Sequence, residues 1–314
     1  MNRFFLGIDT SNYSTSVACY DAEKHIFFMD RRLLPVQKNS IGLRQSDAVF
    51  FHIKQFSEVF QNVAGKIEKF QLGGIGCSVA PRRVQGSYMP CFLVGKAMAE
   101  TLSLSHHTKV YECSHQEGHI AAALYSSDAL FLLRQKFIAF HVSGGTTEAL
   151  LVEPDDEHIF KISVIARSLD LKAGQLIDRV GVMLGLSFPA GPQLEQLACN
   201  ADKSLCIRPS LKGHDICLSG AQNQCETMLK KGEKPETVAA YALDYVRCSL
   251  DCMAASLLKE YGRLPLVFAG GVMSNRGIRA FMQEKYQAYF AEPAYSSDNA
   301  AGVAYLAYLK GIKS

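Results

Sequence analysis

The sequence predicts a duplicated α/β protein, two lobes of one topology, and three observations predict it. The first is an internal repeat. Apolar residues 4–8 run into Asp9-Thr10-Ser11-Asn12 and then strand-like stretches at 16–20 and 25–29; residues 137–141 run into Ser143-Gly144-Gly145-Thr146-Thr147 and then 149–152 and 158–162. EKHIF at 23–27 falls on DEHIF at 156–160 with a constant offset of 133, and self-similarity of this kind marks a repeated architecture. The second is the alternation of strand-like and helix-like segments, which belongs to α/β folds. The third is size: 314 residues, 48% hydrophobic and 20% charged, suffice for two lobes with buried cores.

The elements follow in order. Each repeat opens with its strands and turn. In the first lobe a helix is expected over 46–70, where apolar residues recur at helical spacing, then a strand at 72–79, a helix at 87–103 and a strand at 109–112. A helix beginning near 114 carries HQEGH. Residues from about 168 to 260 read as mostly helical, an insertion into the second lobe, before a strand at 265–269, Gly270-Gly271 and a helix from about 274. The last helix, from about 299, is expected to return to the first lobe. The first lobe is therefore 1–112 completed by 299–314, and the second is 113–298.

Composition narrows the function classes. No apolar run approaches the roughly 20 residues of a membrane span, and residues 1–14 lack the apolar core and cleavage site of a signal peptide. The ten cysteines form no CxxC pair, which argues against a zinc ribbon and a disulfide framework and for free thiols in a reducing cytoplasm. A net charge of +3 permits a nucleic-acid partner without requiring one.

Three turns are suited to anions. Asp9-Thr10-Ser11 and Ser143-Gly144-Gly145 are small and hydroxyl-rich, so backbone N–H groups can approach a phosphate. VFAGGVMSN, with Gly270, Gly271 and Asn275, reads as strand, turn and helix start, a favourable place for a nucleotide. Each alone is also what an ordinary turn looks like; all three together favour nucleotide binding.

His115 and His119 are four apart and share a helix face, so both can meet one ion. Glu117 lies two positions from His115, about 200° around the helix, and points away from it. A zinc protease of the HExxH type needs its acid one position after the first histidine, where this chain has Gln116. Ser114 and Glu117 instead form a capping box. The metalloprotease reading fails on geometry. Asp298, in SSDNAAG, is a candidate third ligand, although it could also cap the last helix.

HQEGH (115–119), VSGG (142–145), LDLKAGQLIDRVGVMLGLSFPAGP (169–192), AGGVMSNRGIR (269–279) and SDNAA (297–301) occur in an order that resembles the TsaD family of tRNA threonylcarbamoyladenosine transferases over nearly the whole chain. The resemblance implies a duplicated actin-like ATPase (ASKHA) fold, with two lobes around a nucleotide-binding cleft. It implies transfer of a threonylcarbamoyl group from threonylcarbamoyl-adenylate to adenosine in tRNA, with helper proteins of the TsaB and TsaE kinds. By position, His115, His119 and Asp298 would hold one iron or zinc ion. Ser143, Gly144 and Gly145 would wrap the phosphate and carbamoyl part of the adenylate. Asp178, Gly191 and Asn275 would hold its ribose and adenine side, with magnesium as an optional companion of the nucleotide. His141, directly before VSGG, is a candidate fourth ligand, since imidazole suits iron and zinc; the alternative is a histidine that simply ends a buried strand.

The chain departs from the family pattern at Thr146, Leu171, Lys172, Gln175, Gln222 and Asn223, and at Ala80-Pro81-Arg82. These departures keep two alternatives open: a carbamoyltransferase with a small-molecule acceptor, and an inactive nucleotide-binding scaffold.

Overall fold

The computed structural model describes residues 4–11, 13–35, 43–67, 71–201, 207–296 and 300–313. In chain order the elements are β1 (Phe4–Ser11), β2 (Ser14–Asp21), β3 (Ile26–Leu33), α1 (Gln45–Ala64), β4 (Leu72–Ala80), α2 (Phe92–His106), β5 (Val110–Ser114) and α3 (His115–Ser126). They continue as β6 (Phe137–Val142), β7 (Thr147–Asp155), β8 (Ile159–Arg167), α4 (Ala173–Met183), α5 (Gly191–Ala198), β9 (Ser210–Lys212), β10 (Asp215–Cys217), α6 (Ser219–Lys230) and α7 (Pro235–Tyr261). The chain closes with β11 (Leu266–Ala269), α8 (Arg276–Lys285), β12 (Ala288–Phe290) and α9 (Ala301–Lys313).

The duplication is present in the sheets. One has the order β3-β2-β1-β4-β5 and the other, read from its far edge, β8-β7-β6-β11-β12. In each, the first two strands pair antiparallel and the first then pairs parallel with a strand reached through helices. The repeated strands start at 137, 147 and 159 against 4, 14 and 26, an offset of 133 each time. The hairpin turns are pinned alike: Asp21 Oδ1 accepts from the N–H groups of Glu23 and Lys24, and Asp155 Oδ1 from those of Glu157 and His158. An aspartate that bonds the backbone two and three residues ahead stabilises such a turn.

Two compact units emerge, residues 1–133 with 155–160 and 294–314, and residues 134–154 with 161–293. This corrects the expected boundary at 112, because α3 belongs to the first unit. Its reason is the packing of α3 on α9, which also lies against β1, β2 and β4. The helices meet where Gly118 faces Gly302: a Cβ added to Gly302 would sit 1.8 Å from the Gly118 carbonyl oxygen and 2.8 Å from the Ala122 nitrogen. Gly302→Ala is therefore expected to force the helices apart and cost on the order of 3 kcal/mol, checked as a fall in the urea midpoint with little change in slope.

In the first unit, β1 is buried along its whole length because β2 and β4 flank it and α2 and α9 pack against it, whereas β3 is an edge strand whose Arg31, Arg32 and Leu33 are exposed. In the second, Phe140, Phe268 and Phe290 stack across β6, β11 and β12, with ring centroids 4.7 and 5.0 Å apart. The core there continues into α4, α6 and α7, so the helical insertion supplies much of the second unit's interior.

Several boundaries differ from expectation. The first helix ends at Ala64, with Gly65 closing it, rather than at 70. The second begins at Phe92 rather than 87, because Pro90 disfavours helical geometry in the residue before it. The insertion includes the short hairpin β9–β10, turned by Gly213 at a φ of 63°. Ser274 lies in a 3₁₀ turn, and the regular helix starts at Arg276.

Candidate functional site

In the first unit the histidine pair is built by local structure. Ser114 caps α3: its Oγ accepts from Glu117 N, while its own N–H donates to Glu117 Oε2 at 2.5 Å. Glu117 is buried and is also met by Arg83, 3.3 Å away, so the acid is occupied at the cap, as its place on the helix predicted. The rings of His115 and His119 meet edge to face, with their Nε2 atoms 2.9 Å apart. That separation is a hydrogen bond between the rings; two nitrogens each about 2.1 Å from one tetrahedral ion would stand roughly 3.4 Å apart, so the rings would part slightly to share one. Two imidazoles on one helix face are donors of the kind a first-row metal accepts. The expected third ligand, Asp298, lies outside the described residues; among the described residues no group of three or more His, Cys, Asp or Glu gathers around one ion position.

The first-lobe turn residues have internal partners that the sequence did not reveal. Asp9 accepts from Ser78 Oγ at 2.8 Å and lies 2.6 Å from His115 Nδ1. Thr10 donates to the Cys91 carbonyl and accepts from Gly95 N, tying β1 to the start of α2. Ser11 differs, since its Oγ is buried with no hydrogen-bond partner among the described residues, as are Ser14 Oγ and His52 Nε2. Burial pushes the His52 imidazole down to about 4, which keeps it neutral beside this turn at pH 7.

In the second unit a cavity of about 430 Å³ is lined by Gly144, Asp178, Gly191, Gly271 and Asn275, five of the residues picked from sequence. Its walls also include Gly174, Ile177, Glu195 and Leu243. The volume falls within the range of small-molecule sites, about 300–1,000 Å³. Asp178 Oδ1 accepts from Ala190 N at 2.8 Å and so holds the turn that leads into α5. Asn275 Oδ1 caps α8 by accepting from Ile278 N, and Glu195 Oε1 accepts from Arg276 N at 2.7 Å. Glu195 was missed: its partner is 81 residues away, and no local pattern marks it.

The other predicted residues of the second unit, Ser143, Gly145, Gly270 and His141, do not line that cavity. Ser143 Oγ accepts from Gly145 N and Thr146 N, closing the loop on itself, and its carbonyl accepts from Gly174 N. Gly270 packs on Val142, and His141, the last residue but one of β6, pairs with Glu148 of β7. Asp170 clamps the loop before α4, accepting from Leu171 N, Leu218 N and the Ser219 hydroxyl. Burial works to raise its pKa, but these bonds outweigh it and hold the carboxyl below its ordinary value.

The departures from the family pattern are absorbed internally. Lys172 Nζ donates to the Ser168 carbonyl at 3.0 Å, Gln175 Oε1 accepts from Lys172 N, and Gln222 Oε1 accepts from Arg179. None of Thr146, Leu171, Lys172, Gln175, Gln222 and Asn223 lines the cavity.

The two matching sheets define a duplicated actin-like fold of the ASKHA type. Solved structures share it: (R)-2-hydroxyglutaryl-CoA dehydratase component A of Acidaminococcus fermentans, at a TM-score of 0.55 and 16% identity, covers 99% of both chains. Full-length HypF, solved in a phosphate- and nucleotide-bound form, has a TM-score of 0.61 and 15% identity over 98% of this chain and 55% of its own. The family model TsaD, tRNA N6-adenosine threonylcarbamoyltransferase, matches residues 52–305. Proteins of that name are 30% identical in Thermosipho africanus, over 98% of this chain and 96% of the relative, and 34% identical in Syntrophotalea carbinolica, over 70% and 67%. The chain belongs to the TsaD family, a family of transferases.

Proposed function

We propose that this protein transfers a threonylcarbamoyl group from threonylcarbamoyl-adenylate to the exocyclic amine of an adenosine in tRNA. The observation that carries the reading is the second-unit cavity, which gathers Gly144, Asp178, Gly191, Gly271 and Asn275 from four separate stretches of sequence around a space of nucleoside size. The donor's adenosine occupies that cavity, its ribose facing Asp178, with Ser143-Gly144-Gly145 beside the phosphate. The amine attacks the carbamoyl carbon. A C–N bond forms, the bond from that carbon to the phosphate oxygen breaks, AMP leaves, and the amine's proton passes to solvent.

The ion is iron or zinc, held by His115, His119 and Asp298, with His141 as a candidate fourth ligand. When bound it supplies Lewis-acid polarisation of a carbonyl. The chain's own part is to fix the donor's orientation in the cavity. Magnesium is an optional companion of the bound nucleotide; TsaB-like and TsaE-like helpers and a cytoplasmic setting complete the proposal. Among the described residues no helix is long and apolar enough to cross a membrane.

The test is reconstitution. Threonylcarbamoyl-adenylate, unmodified tRNA and the helper proteins are incubated with the purified chain, and digested tRNA nucleosides are analysed by mass spectrometry. Threonylcarbamoyladenosine is expected. Consumption of the adenylate with unmodified tRNA would instead favour a small-molecule acceptor, and nucleotide binding without turnover would favour a scaffold.

A further inference from the structure

We infer that Asp9 is a positioning residue for the histidine pair and not a contact of the nucleotide. The inference rests on the metal reading proposed above and goes beyond it in assigning how the first ligand is aimed. Asp9 stands on β1 and is 1% exposed. Ser78, from β4, donates to its Oδ1 at 2.8 Å, and His115 Nδ1 lies 2.6 Å from its Oδ2. An ionised carboxylate only accepts hydrogen bonds. The short contact therefore places a proton on Nδ1 of His115, and in the neutral imidazole that metal binding requires the lone pair is then on Nε2.

That Nε2 is the atom 2.9 Å from His119 Nε2. A carboxylate behind a histidine fixes the ring's tautomer and orientation and raises its basicity toward a metal. The backbone beneath His115 is held as well. The capping box fixes the helix start, and Gln116 N donates to the Pro81 carbonyl. Ser78 adds a further constraint by holding the plane of the Asp9 carboxylate.

The alternative role, contact with a nucleotide phosphate, is opposed by charge and access. Both oxygens of Asp9 are engaged by the chain, and a phosphate brought to a buried carboxylate would meet like charge. The turn's contribution to a ligand falls instead to Ser11, whose hydroxyl has no internal partner among the described residues.

The experiment uses the full chain with Zn²⁺, and with Co²⁺ as a spectroscopic substitute, in equilibrium dialysis. Asp9→Asn keeps the volume and removes the charge; it is expected to weaken metal binding about 10- to 100-fold while AMP affinity stays within about twofold. In the metal-free wild-type chain, ¹H–¹⁵N correlation spectra of the histidines should place the His115 proton on Nδ1. Wild-type uptake with unchanged uptake by Asp9→Asn, or a proton on Nε2, overturns this inference alone. A loss of AMP affinity without a loss of metal also overturns it. Failure of the wild-type chain to take up either ion overturns the metal reading and this inference with it.

Discussion

Gly270→Ala is expected to destabilise the protein by about 3 kcal/mol or more, whereas Gly271→Ala, one residue on, changes stability by less than about 0.5 kcal/mol. At Gly270 the backbone has a φ of 102°, and an added Cβ would sit 2.3 Å from the Val142 carbonyl oxygen. Alanine would need both an unfavourable backbone conformation and a displaced strand. The strand is β6, which ends at Val142 and leads directly into Ser143-Gly144-Gly145. Displacing it would disturb the cavity as well as the core. At Gly271 nothing lies within 4 Å of an added Cβ, and the residue lines the cavity. Gly271→Ala should therefore fold normally and bind AMP more weakly. Chemical denaturation and calorimetric AMP titration of both variants separate the two roles; equal stability of both would show that the close approach at Gly270 can relax.

That pair illustrates what the sequence made legible. The Gly-Gly turn stood out, but its two glycines looked alike, because the contact that distinguishes them comes from Val142, more than a hundred residues earlier. The duplication, the capping box and the shared face of His115 and His119 were legible because they depend on spacing within one element or on a repeated pattern. The partners of Asp9 and Thr10 were not. His115 lies 106 residues from Asp9, and Cys91 lies 81 from Thr10. A turn rich in Asp, Thr and Ser looks the same whether its oxygens face a ligand or the chain. Membership of α3 in the first unit was hidden for a related reason: it depends on the helix–helix contact of Gly118 with Gly302, far apart in the chain.

Asp178→Ala is expected to lower transfer about 100-fold or more while leaving metal content unchanged. Asp178 lines the second-unit cavity, and its Oδ1 accepts from Ala190 N at 2.8 Å. The carboxylate therefore holds the turn into α5 and faces the space proposed for the ribose. Alanine removes both functions. A lost hydrogen bond to a charged group accounts for about 1.5–3 kcal/mol, or roughly 10- to 150-fold in affinity, and a freed turn adds to it. An ion held by His115 and His119 as proposed should stay, because both stand on α3, with Asp9 behind His115 and no part played by α4. Asp178→Asn separates the two functions, since an amide oxygen can still accept from Ala190 N. It should retain wild-type stability with intermediate AMP affinity. Metal analysis, AMP titration and nucleoside mass spectrometry on the same preparations check the prediction. Wild-type AMP affinity in Asp178→Ala would remove the cavity from the nucleotide site.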